Sequence, residues 1–117
     1  MADPLHVPNL LQNWRERAFL PFRDGVEICP LLEGAPGVAL LRYAPGAGVP
    51  RHRHPGMETI LVLEGVQSDE RGDYPAGSLI LNPEGTAHAV WSGPGCTVLI
   101  QWNRPVEFLP DNGAPEI

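Results

Sequence analysis

Residues 46–65 read GAGVPRHRHPGMETILVLEG. The second part of this stretch sorts itself as an extended strand over 58–64, with Glu58, Ile60, Val62 and Glu64 on one face and Thr59, Leu61 and Leu63 on the other. Both faces are largely apolar, so the strand requires cover on two sides. In a small chain that cover is a second sheet together with an N-terminal arm or a subunit partner, and a homodimer is expected. Just upstream, His52 and His54 are separated by one residue, which puts both imidazoles on the same side of an extended chain. Pro55 and Gly56 then bend the backbone, so that Glu58 at the start of the next strand points back toward the imidazoles instead of lying farther along one line.

Neutral imidazoles with a carboxylate suit divalent transition metals, whereas calcium and magnesium want more oxygen ligands. A fourth donor stands in PEGTAHAVW at 83–91, where Pro83 and Gly85 make a turn before His88 opens another short strand. The remaining histidine, His6, lies in a proline-rich terminus. His52, His54, Glu58 and His88 are therefore the predicted ligands of one divalent transition metal per chain, zinc or iron foremost, with manganese and nickel also fitting. Arg51 and Arg53 have the opposite parity and are expected to face outward as solvated charges, and Glu64 is expected at the rim. Tyr43, Trp91 and Trp102 are candidates for core or pocket wall. No catalytic residue is assigned; Glu64 and Tyr43 are the only acid or base groups near the predicted ligands.

Working outward, turn signals recur as Pro-Gly at 36–37, 45–46, 55–56 and 94–95 and Gly-Asp at 72–73. They separate strands predicted at 26–32, 37–43, 48–54, 58–64, 78–81, 88–91 and 96–102, the spacing of an all-β sandwich or barrel. The chain of 117 residues is the size of one domain, and its 14 prolines and 13 glycines coexist with 43% apolar residues, so a packed core is expected rather than disorder. Residues 1–25 are read as an arm that packs Trp14 and Phe19 onto the body or onto a partner subunit, 26–110 as the β domain and 111–117 as a tail that frays. A helical turn at 13–19 is bracketed by Pro8 and Pro21, too closely for a longer helix.

A net charge of −6 argues against a surface that tracks nucleic-acid phosphates. No apolar run is long enough to span a bilayer and no secretory leader is legible, so a cytoplasmic protein that binds neither membrane nor nucleic acid is expected. Cys29 and Cys96 have no CxxC spacing and are read as buried small apolar residues.

Gly46, His52, His54, Glu58 and Gly65 match G-x5-H-x-H-x3-E-x6-G, and Gly77, Pro83, Gly85 and His88 match G-x5-P-x-G-x2-H. These are the two motifs of the cupin superfamily; Ser92 stands where the second motif ends in asparagine. The match covers residues 46 to 92, about 40% of the chain. More narrowly, APGAGVPRHRHPGMETILVLEGVQSDERGDYPAGS and NPEGTAHAVWSGPGC resemble the cupin domain of ChrR-type anti-sigma factors. The resemblance implies a single-domain cupin, a double-stranded β-helix or jelly-roll barrel, with a metal on His52, His54, Glu58 and His88. Zinc with four protein ligands would be a closed structural or sensing site, and ferrous iron on the same ligands would keep coordination positions free for chemistry. A metal-dependent dioxygenase acting on a small diketone or phenolic ligand is accordingly expected, with a non-catalytic zinc sensor as the alternative. ChrR-type factors grip their sigma factor through a separate N-terminal zinc domain. Only about 25 residues precede the first strand predicted here, so sigma-factor binding by that route is not expected.

Overall fold

Short alternating segments, each stopped by glycine or proline, form strands too brief to be stable alone, and they are held by pairing along their whole length. The computed structural model describes residues 3–110. Within them a helical turn, α1 (Leu10–Asn13), and a 3-10 turn at Trp14–Glu16 precede β1 (Leu20–Arg23), β2 (Val26–Leu32), β3 (Gly37–Tyr43), β4 (Gly48–Arg53) and β5 (Glu58–Asp69). Then follow β6 (Gly72–Pro75), β7 (Leu79–Asn82), β8 (Ala87–Trp91), β9 (Cys96–Trp102) and β10 (Glu107–Phe108). Every ladder is antiparallel. One sheet runs β1-β2-β3-β9-β5-β7 and the other β6-β5-β8-β4-β10, so that β5 belongs to both. The result is a curled jelly-roll half-barrel.

The crease lies at Gly65. Up to this residue β5 pairs with β9, with an irregularity between Val62 and Glu64; from Val66 onward it pairs with β6 and then β8. Gly65 has φ +77, and a Cβ there would run into the carbonyl oxygen of Gly95. Only glycine meets both conditions. Without the crease, the eleven residue-to-residue steps from Glu58 to Asp69 would hold the ends of β5 about 36 Å apart. Bent, the strand brings both ends to one site.

The inner faces bury Val26, Ala39, Leu41, Tyr43, Ile60, Val62, Val90, Cys96, Val98 and Ile100. On the outer face of the first sheet, Trp14 packs with Cys29 and Leu40, flanked by Leu10, Phe19, Leu31, Leu63 and Leu99. The apolar second face of β5 is thus partly roofed by the N-terminal segment. Farther along it, Leu79 and Leu81 on β7 remain 62% and 55% exposed.

Several boundaries differ from expectation. The first sheet begins at Leu20 rather than Val26, because β1 pairs with β2 from within the segment read as an arm. The helical turns cover 10–16 rather than 13–19, since the chain is already extended at Arg17 and Phe19 packs back onto the sheet. β5 continues five residues beyond 64, and β6 and β10 were not anticipated. The tail read at 111–117 lies outside the described residues.

Candidate metal centre

The site grows out of strand register. His52 on β4 is the direct cross-strand partner of His88 on β8, and their ring centroids are 4.8 Å apart. His54 stands one residue beyond β4, where its backbone N–H donates to the Thr86 carbonyl at 2.8 Å, fixing it beside the loop that leads into β8. Its ring is 5.1 Å from that of His52 and 4.8 Å from that of His88. One nitrogen from each of the three imidazoles lies within 4.8 Å of the others. All three side chains are buried.

The Nδ1 atoms are each engaged away from this centre. His52 Nδ1 is 2.8 Å from the Pro50 carbonyl, His54 Nδ1 is 3.0 Å from both the carbonyl and Oγ1 of Thr86, and His88 Nδ1 is 3.0 Å from Asp69 Oδ2. The Thr86 hydroxyl donates to the Pro83 carbonyl at 2.6 Å, so it too accepts from His54. Acceptors at every Nδ1 place the proton there and leave the Nε2 lone pairs free. The Nε2 atoms of His54 and His88 are buried without a hydrogen-bond partner. Lone pairs orphaned in this way are costly unless a cation takes them.

Glu58 stands at the edge of this group. Its Oε1 is 3.2 Å from His54 Nε2 and accepts from Asn82 Nδ2 at 3.2 Å. A carboxylate oxygen facing an imidazole lone pair is acceptor against acceptor, an arrangement that a positive ion between them relieves. The donor set therefore fits a divalent transition metal, with three imidazoles as its close group and Glu58 beside His54.

Burial lowers the pKa of His52 and His88, which keeps both neutral and competent to bind metal. Burial by itself would raise the Asp69 carboxyl; hydrogen bonds from Tyr74 at 2.7 Å, from His88 and from the Arg71 N–H at 2.8 Å outweigh it and hold the group below its ordinary value. A buried carboxylate thus orients the neutral His88 ring.

The three imidazoles foreseen from the motifs come together as expected. Asp69 and Thr86, which hold His88 and His54, and Asn82, which holds Glu58, were not foreseen, since their partners lie 19 to 32 residues away in sequence and meet only through register. Asp69 does fall within the longer stretch that resembles the ChrR-type cupin domain. Arg51 and Arg53 face outward and meet Glu70 at 3.7 Å and Glu107 at 3.1 Å. Glu64 is exposed and paired with Arg15, away from the histidines. Ser92, where the motif would have asparagine, is fully buried and ties β8 to β5 by donating to the Val66 carbonyl at 2.5 Å.

A cavity of about 580 Å³ opens onto His52, Glu58 and His88. Its walls are mostly apolar, among them Ile28, Leu41, Val49, Ile60, Val90 and Trp102. Tyr43 also lines it, and burial, with Cys96 and Glu58 adding to it, pushes that hydroxyl far above its ordinary pKa. Trp91, by contrast, is half exposed and takes no part.

The curled double sheet with a histidine cluster on its inner face defines a cupin. The chain belongs to the ChrR cupin-like domain family, whose model matches residues 8–105. It is 32% identical over 87 residues to the anti-sigma-E factor ChrR of Cereibacter sphaeroides, an alignment that takes in 72% of this chain and 41% of that protein. The chain therefore spans about two fifths of the length of that curated relative. The structure of Rhodobacter sphaeroides SigE in complex with the anti-sigma ChrR superposes with a TM-score of 0.71 at 25% identity, covering 80% of this chain and 53% of that one. An acetylacetone dioxygenase from Acinetobacter johnsonii superposes with a TM-score of 0.75 at 16% identity, covering 97% and 82%, a likeness of fold alone.

Proposed function

We propose that this cupin holds one divalent transition metal on His52, His54, His88 and Glu58 and acts as a dioxygenase-type oxidoreductase on a small diketone or phenolic compound. The observation that carries the reading is the convergence of unprotonated Nε2 atoms at a wide apolar cavity, because a purely structural metal needs no such space. A bound ferrous or related ion supplies Lewis-acid and electron-transfer chemistry there. The chain's own groups do the rest. Pro50, Thr86 and Asp69 fix the three tautomers, Asn82 aims Glu58, and Tyr43 keeps its proton at neutral pH.

The test is metal analysis of protein purified anaerobically without chelators or affinity resin, followed by oxygen uptake with 1,3-diketones and hydroxyaryl ketones. About one iron per chain with substrate-dependent uptake supports the reading. About one zinc with no uptake favours the second reading, a zinc-bearing sensing or regulatory cupin, for which the 32% identity to ChrR speaks. Absence of any bound metal sinks both.

The same reading places the protein in the cytoplasm, where its two unpaired buried cysteines stay reduced. It also makes the protein a homodimer through the uncovered apolar face that carries Leu79 and Leu81. Leu81→Glu should then convert a dimer to a monomer in sedimentation equilibrium, and a wild-type monomer at micromolar concentration would overturn the assignment.

A further inference from the structure

The inner cavity has an unusual mouth. β1 ends one sheet and β10 ends the other, and among the described residues no ladder joins them, so the half-barrel lacks strand pairing along this seam. Phe22 on β1 and Phe108 on β10 both line the cavity, yet they are 53% and 54% exposed. Apolar surface facing a cavity and left in water is surface that a ligand can cover. Next to Phe22 in sequence is Arg23, the one cation lining the cavity among the described residues, with its guanidinium 5.0 Å from the Phe108 ring centroid. Arg15, Arg42, Arg51, Arg53 and Arg71 each lie within 3.8 Å of a carboxylate. Arg23 has no such partner among the described residues. The cavity's one carboxylate, Glu58, is held at the histidine end by Asn82.

We infer that the cavity takes an amphiphilic anion, an aryl or alkyl body carrying a carboxylate-like group, which enters between β1 and β10 and sets its charge against Arg23. The inference rests on reading the cavity as the ligand site proposed above and narrows its ligand class. The apolar body lies along Phe22, Ile28, Trp102 and Phe108, and any chelating oxygens face His52 and His88. A guanidinium that already stacks on an aromatic ring retains its in-plane N–H fork for a carboxylate. A ligand without the charge forgoes that pairing.

Isothermal titration of the full chain with 4-phenylbutanoate and its uncharged isostere 4-phenylbutanamide tests this, on metal-loaded and on chelator-stripped protein. The carboxylate should bind at least about tenfold tighter than the amide in both forms. Arg23→Gln should bring the carboxylate down to the level of the amide measured on the same variant; Arg23→Lys should retain part of the preference, and thermal melting verifies that both variants fold. Equal affinities in the wild type, failure of both probes to bind, or a preference that survives Arg23→Gln overturns the inference. A preference that survives Arg23→Gln but vanishes with the metal puts the anion on the metal and leaves the metal reading standing. An Arg23-dependent preference in protein that takes up no metal upholds the inference while the metal reading fails.

Discussion

At the residue scale the site depends on which nitrogen of each imidazole carries the proton. His54 is held at both Nδ1 and its backbone N–H by Thr86, so it can present Nε2 in only one direction. His54→Ala should abolish stoichiometric metal binding in elemental analysis; full occupancy in that variant contradicts the ligand assignment. Asp69→Asn is subtler. It keeps a group of the same shape beside His88 but removes the charge that favours the Nδ1–H tautomer. Metal affinity should fall roughly 10- to 100-fold in competition with a chromophoric chelator. An unchanged affinity means that packing alone orients His88. The four ligand candidates were legible because their parity and spacing lie along the chain, in RHRHPGME and in PEGTAHAVW. Asp69, Asn82 and Thr86 were not, because a hydrogen bond between strands depends on a register that no local pattern states.

At the scale of elements, the strands with clear alternation or β-branched runs were legible to within a residue or two, β2, β3 and β9 among them. The overlooked strands share a cause. β1 contains Pro21, β6 ends in Pro75 and β10 is two residues long, so each lacks a pattern and exists only because a longer neighbour pairs with it. Gly65 misled in another way: it read as a strand terminus, whereas it is the point at which β5 changes sheets. Gly65→Ala meets both a positive φ and the Gly95 carbonyl and should cost about 2 kcal/mol or more in urea denaturation. A loss below about 0.5 kcal/mol would show that the crease relaxes around a methyl group.

At the scale of the whole molecule, burial holds His52 and His88 below the value of 6.5 that they have in an unfolded chain. The unfolded metal-free chain therefore binds protons that the native one refuses. Stability of the chelator-stripped protein should be complete above pH 6.5 and decline as the pH falls through that value toward the lowered native ones. Urea titrations between pH 5 and 8 measure this, and a flat profile would argue that neither ring is buried as described. Metal affinity should weaken over the same interval, since protons and metal compete for the same lone pairs.

The two ends of β5 have a shared role. Glu58, its first residue, faces His54, and Asp69, its last, holds His88, while the strand between them is woven into both sheets. An ion on the histidines would therefore work as a clasp that fastens a bent belt to itself. Unfastening it would slacken both halves of the barrel at once, so that the occupancy of a single atom would be felt wherever that belt runs, out to the surface strands β6 and β7 that hang from it.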